Sequence, residues 1–478
     1  MFWLARTIPG PPNGALCFAG PMDEVLDKAI AAQRKYGNVV RVWAWPAVNI
    51  TICEPDDLEV LCTSPHLQHK PAIVYDSMSP IMGEGLVSLS GDVHRRHRKA
   101  IGPSLHLDIL QDFLPTFERN ALQLCKQFEQ RAATGEPFNA TDALSSYSAH
   151  AICETVFSSE FAPRMQETKA HFIRYLHASS ALMYYRVMRP WLFPDALFYF
   201  TRPYAEYQEA ARVFQSFVTM MLDYKVDQLK KGAPQRDRKR RAFLDHVLTS
   251  TDAQVLSHRE LVEELKTVSG AAIGTSTDLM SVFLLVVSLL PDVQEKIAKE
   301  LDDVFGGTDR PVEPADLGHL QYLECVLKES MRLFPPVFSF SRTVLRDVTL
   351  PSGHVLPEGA IVAAVPHFTH RDPRHWTDPD KFDPDRFLPE NSRGRHPFAF
   401  VPFSAGSRNC IGQRYAMMSA KVLASSILRR FRVLPSGVAG APSALQDIKM
   451  LAGISSAPLG GAVVRVERRA KSEQKRRG

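Results

Sequence analysis

The chain has 478 residues, 45% of them apolar and 23% charged, and a formal net charge of +5. That composition excludes a disordered or fibrous chain and leaves ample material for a large core. The positive excess sits in two segments: residues 230–241 carry seven basic residues and one acid, and residues 465–477 carry seven and two. The remainder is therefore at −6, which excludes a generally basic body for binding nucleic acid.

In chain order, Met1–Ile8 is apolar but far shorter than the roughly 20 residues that span a bilayer. Pro9-Gly10-Pro11-Pro12 follows, so residues 1–12 read as a short remnant and a Pro-rich hinge, with no membrane anchor expected. Strand-like runs rich in β-branched and aromatic residues occupy Val39–Trp43 and Val48–Cys53. From about Leu105 to Leu301 apolar positions recur at helical spacing, as in Leu122–Ala132, Tyr204–Lys230 and Arg259–Val268. Gly270–Leu290 is apolar enough to suggest a membrane span, but its amphipathic, charged flanks favour a buried central helix. A helix over Tyr322–Leu333 stops at Phe334-Pro335-Pro336, short strands and turns follow, and a last helix is predicted over about Ile411–Phe431. The expected fold class is α+β, mainly α with small β-sheets, as a single large domain over residues 13–469 with a basic tail at 470–478.

Seven scattered cysteines without a CxxC pair argue against a disulfide framework or a structural zinc site, and for a reducing compartment. One of them has unusual surroundings. In Phe403-Ser404-Ala405-Gly406-Ser407-Arg408-Asn409-Cys410-Ile411-Gly412 a glycine turn precedes a helix N-terminus. Free N–H groups and the helix dipole there are expected to lower a thiol pKa. Gly406 and Gly412 would let a flat macrocycle approach the backbone, and Arg408 suits a propionate. A thiolate of this kind is what a haem iron needs to favour O–O cleavage.

This segment resembles the haem-binding loop of the cytochrome P-450 superfamily, Phe-x-x-Gly-x-Arg-x-Cys-x-Gly, at all five fixed positions. Further segments are similar to other motifs of that family. Glu329-Ser330-Met331-Arg332 and Phe382-Asp383-Pro384-Asp385-Arg386-Phe387 imply a buried Glu329–Arg332–Arg386 network that fixes the thiolate loop. His94 and Arg98 fall on the family's Trp-x-x-x-Arg pair, which meets a haem propionate; His94 departs from it. Arg342 resembles a further propionate contact. The oxygen-activating pattern falls on Ala271-Ala272-Ile273-Gly274-Thr275-Ser276, where the family's acid has become Gly274. Thr275, Ser276 or Asp278, with water, would then deliver protons. Ala271 stands where many members esterify the haem, so haem b is expected to be non-covalent, with Cys410 as axial ligand. Segments such as Ala242-Phe243-Leu244-Asp245 and Cys410-Ile411-Gly412-Gln413-Arg414 place the resemblance nearest to family 4.

The resemblance implies a monooxygenase that inserts one oxygen atom from O2 into a fatty acid, terpenoid or xenobiotic. Electrons would come from NADPH through a reductase, or a cytochrome b-type donor, docking near the Cys410 loop with help from Arg414 and Lys421. It also implies the cytoplasmic face of the endoplasmic reticulum, with peripheral membrane contact through the basic segments. The alternative is a non-catalytic or uncoupled haem or hydrophobic-ligand carrier, which Gly274 and His94 favour. Substrate contacts are expected around Ser79–Leu89 and Leu176–Phe200.

Overall fold

Residues 2–14, 22–44, 47–157, 182–187, 189–231, 242–249 and 256–470, with Tyr175 and Ser179, are described in a computed structural model. Cys17, most of the first basic segment and the end of the second lie outside the described residues.

After the helix Val25–Tyr36 come two strands, β1 (Val39–Ala44) and β2 (Ala47–Ile52), antiparallel and in register from Val39↔Ile52. Helices dominate thereafter: α1 (Gly91–Ile101), α2 (Leu114–Thr134), α3 (Thr141–Ile152), α4 (Pro203–Lys230), α5 (His258–Leu289), α6 (Pro291–Phe305) and α7 (Gln321–Leu333). Strands β3 (Phe340–Thr343) and β4 (Ile361–Ala364), helix α8 (Gln413–Leu428), and strands β5 (Phe431–Pro435) and β6 (Val463–Arg468) complete it. The first sheet has the order β1-β2-β4-β3, with β2 and β4 parallel. This is the expected mainly α, single-domain α+β fold with small separate sheets.

Helix α5 organises the core. Ser257 Oγ accepts the Glu260 N–H while the Glu260 carboxylate accepts the Ser257 N–H, a capping box that satisfies two orphan donors. At 32 residues the helix is about 48 Å long, more than enough to cross a bilayer by length. However, 72% of its apolar window is buried inside the protein, as the flanking charge pattern predicts. Leu290 ends it because Pro291 has no N–H to continue the ladder and instead starts α6 at its first position.

In the described parts of the basic segments, Lys231 pairs with Asp227 at 2.7 Å, Arg468 with Glu129, and Arg469 with Asp302 at 2.6 Å.

Candidate active site

Cys410 lies three residues before α8, in a loop held from several sides. Its N–H donates to the Phe403 carbonyl at 2.8 Å, which closes the loop on itself. Gly406 has φ +69°, and an added Cβ would stand 2.1 Å from the Cys62 carbonyl oxygen. Glycine is thus required there by the helix Pro55–Thr63, whose Cys62 carbonyl crowds the backbone. At Gly412 an added Cβ would meet the Cys410 sulfur at 3.9 Å, an ordinary contact.

Among the described cysteines Cys410 alone is exposed. Dense protein nevertheless surrounds it, enough for burial to push its thiol up despite the Gly412 N–H and the Arg98 charge. Cys410 is thus solvent-exposed as a residue while neighbouring protein desolvates its thiol. The expected depression of the thiol pKa by the helix N-terminus is not found, because desolvation outweighs it.

Arg98, on α1, reaches this loop directly. Its Nη1 donates to the Asn409 carbonyl at 2.9 Å and its Nη2 to the Asn409 side chain. The guanidinium expected on a propionate therefore grips the residue beside Cys410. Helix α1 is tied in turn to α5, where buried His97 and Glu264 meet at 2.7 Å.

Beside the loop, positive charge accumulates without relief. Arg342, fully buried on β3, donates Nη1 to the Ser341 carbonyl at 2.8 Å, while its Nε and Nη2, like Nη1 and Nη2 of buried Arg408, have no partner among the described residues. Burial, then the charges of Arg342 and Arg98, pull Arg408 down to about 9. Lys70 is pulled well down by burial and by Arg342 and Arg408, and its Nζ donates to the Tyr75 hydroxyl at 3.0 Å. His94 is buried, and burial together with Arg408, Arg98, Lys70 and Arg342 lowers it to about 3, so it is neutral. Among the described residues no carboxylate pairs with any of these cations. Buried, unpaired guanidinium groups are costly and are found where an anion is meant to sit. Lys70 was not marked by any sequence pattern; only the fold brings it to this cluster.

The Glu329–Arg332–Arg386 network forms. Arg332 and Glu329 are fully buried and joined by two parallel bonds, Nε to Oε2 at 2.7 Å and Nη2 to Oε1 at 2.9 Å. Arg386 Nε lies 3.5 Å from Glu329 Oε1, which also accepts the Asp383 N–H at 2.8 Å. Arg332 Nη1 donates to the carbonyls of His370 and Pro379 at 2.8 and 2.6 Å. The His370 ring then accepts the Val401 N–H at 2.9 Å, two residues before the Cys410 loop begins. Burial and the Arg332 charge hold this histidine down at about 3, so it accepts as neutral imidazole. His370 is the link that the motif reading missed.

On α5 the Thr275 hydroxyl donates to the Ala271 carbonyl at 2.7 Å, the back-bond common for threonine in helices. Ser276 and Gly274 are half-buried, and Asp278 is buried one turn further on. Lys421 cannot assist a docking partner: it is buried, donates to the Leu317 carbonyl at 2.9 Å and pairs with Glu324. Arg414 is exposed.

A family model for cytochrome P450 matches residues 7–456. The chain belongs to the cytochrome P450 family. It is 34% identical to human cytochrome P450 4V2 over 404 residues, covering 82% of this chain and 76% of that protein. It is 30% identical to cytochrome P450 4c3 of Drosophila melanogaster over 453 residues (89% and 84%). With cytochrome P450 4c21 of Blattella germanica the identity is 33% over 396 residues (81% and 78%). These relatives carry family 4 names, in agreement with the sequence resemblance. Members of the P450 family bind haem b through a cysteine thiolate. This chain fits that group: Cys410 is the exposed cysteine among those described, and two buried guanidinium groups beside its loop have N–H donors without a partner among the described residues.

A cavity of about 210 Å³ lies elsewhere, between the first sheet, the helix Val25–Tyr36 and the residues Tyr184, Val187 and Phe193. Val42, Tyr184, Phe193 and Phe338 line it, and Cys410 does not. Within the stretch Leu176–Phe200, Phe198 is fully buried against Tyr204 and Tyr207, and Trp191, Tyr199 and Phe200 are exposed.

Proposed function

We propose that the protein is a haem-thiolate monooxygenase acting on a lipophilic substrate with electrons from NADPH through a reductase. The observation that carries this is the pairing of exposed Cys410 with the uncompensated Arg342–Arg408 charge. In this reading Cys410 Sγ supplies the axial ligand. Arg342, Arg408 and Lys70 hold the two propionates, and neutral His94 donates a further hydrogen bond or packs against them. Arg98 acts one step back, through Asn409, to fix the loop. Bound haem supplies the activation of dioxygen that inserts one oxygen atom into the substrate. Glu329, Arg332, Arg386 and His370 hold the loop's backbone in place, so the sulfur is positioned before the cofactor arrives. Phe403 and Gly406 close the loop itself.

The apolar cavity beside Tyr184 supports a lipophilic substrate. Residence at the cytoplasmic face of the endoplasmic reticulum, with the basic segments against anionic lipid, belongs to the same reading. It is supported by the family resemblance and the polybasic residues alone.

The test is a reduced-carbonyl difference spectrum followed by turnover with NADPH and a reductase. The wild-type protein should show the thiolate band and form product; Cys410→Ala should lose both, and Cys125→Ala neither. A thiolate band with no turnover would favour the carrier reading, for which Gly274 and the back-bonded Thr275 speak.

A further inference from the structure

Gly274 leaves α5 without the family's acid, and the structure shows what occupies that place. An added Cβ at Gly274 would stand 3.0 Å from Ser455 Oγ and 3.8 Å from Ser455 Cβ. Ser455 sits in the turn of the hairpin formed by Met450–Leu451 and Ala457–Pro458, which packs on α5. Its hydroxyl also hydrogen-bonds Asp278, which is 7% exposed and lies one helical turn beyond Gly274 on the same face. One hydroxyl therefore spans from a buried carboxyl to the space that an acid at 274 would fill.

We propose that Asp278 and Ser455 act together as the proton-supplying pair that replaces the carboxylate missing at Gly274. The proposal rests on the monooxygenase reading above. The transfer conserves protons. The protonated Asp278 carboxyl donates to Ser455 Oγ; the Ser455 hydroxyl gives its own proton to a water on the Gly274 side; and Asp278 is reprotonated from solvent. Two influences set the carboxyl's proton affinity, burial raising it and the Ser455 hydrogen bond lowering it, and they leave it at about 7. A group poised near neutrality both holds and releases a proton readily. Thr275, whose hydroxyl proton is committed to Ala271, is not first in this chain.

The experiment compares wild type, Asp278→Asn, Asp278→Glu and Ser455→Ala. In each, the reduced-carbonyl band first establishes that haem is held. Asp278→Asn should keep that band while product per NADPH falls roughly tenfold or more and hydrogen peroxide rises. Asp278→Glu should recover most of the loss, and Ser455→Ala should fall in the same direction even if Asp278→Asn does not fold. Infrared spectra of the haem-free protein give an independent reading. A protonated-carboxyl band should be present on the acid side of neutrality, absent in Asp278→Asn and shifted in Ser455→Ala. Unchanged coupling in Asp278→Asn and Ser455→Ala, or no such carboxyl band, overturns the relay and leaves the monooxygenase reading standing. A wild-type protein that holds haem but forms no product overturns the monooxygenase reading, and the relay with it.

Discussion

Two buried arginine clusters flank the Cys410 loop, and they are opposites. In one, Glu329 answers Arg332 with two parallel hydrogen bonds and stands 3.5 Å from Arg386, and backbone carbonyls take further guanidinium N–H groups. In the other, Arg342 and Arg408 face each other's charge, with Arg98 and Lys70 nearby and two N–H-bearing atoms unpartnered on each of the first two. A cluster that carries its own anion is complete as folded, and its work is to hold the chain. A cluster that lacks one stores unfavourable energy until an anionic ligand arrives. The same residue type thus serves stability in one place and binding in the other, and the position of a single glutamate decides which.

The largest effect should come from removing that glutamate. Glu329→Gln would leave Arg332 buried without a counter-charge, at a cost of about 3–5 kcal/mol in denaturant unfolding; a loss under about 1 kcal/mol would break the comparison. In the second cluster the sign should reverse. Arg408→Met should leave the haem-free protein at least as stable as wild type, since it removes an uncompensated charge. Haem titration should show affinity reduced tenfold or more, about 1.4 kcal/mol. A haem-free variant that is clearly less stable would mean that Arg408 is structural after all.

Smaller, and dependent on pH, is the contribution of the buried histidines. His94 and His370 are held down at about 3 in the folded protein, while an unfolded histidine titrates near 6.5. Between these values the unfolded chain binds more protons, so stability is complete above about pH 6.5 and falls as pH drops toward 3. In unfolding measurements on the haem-free protein, His94→Phe should flatten that decline. An unchanged slope would show that His94 is not buried as neutral imidazole. The smallest effect concerns α5. Gly274→Asp alone should not raise product per NADPH, because its Cβ would crowd Ser455 Oγ at 3.0 Å. Paired with Ser455→Gly it should.

The cysteine loop was legible because all its fixed residues lie within ten positions, where local chain geometry ties residue type to role. The Glu329–Arg332 pair was legible for the same reason, since i and i+3 on one helix must be neighbours. Boundaries were less so: the last helix runs Gln413–Leu428, shorter than the apolar pattern suggested. Lys421 looks like an available surface cation in a linear reading, yet the fold buries it on Glu324. Gly406 is explained by the helix Pro55–Thr63, hundreds of residues away in the chain.

By itself, then, the sequence determined the fold class, the thiolate loop and the loss of an acid at Gly274, all of which are local patterns. Only the tertiary structure decided that Lys70 joins Arg342 and Arg408, that His370 links the Glu329 network to the loop, and that Ser455 fills the space over Gly274. Those outcomes depend on elements brought together across the core, where burial and unpaired charge set what each side chain can do, and neither quantity is carried by a residue and its neighbours in the chain.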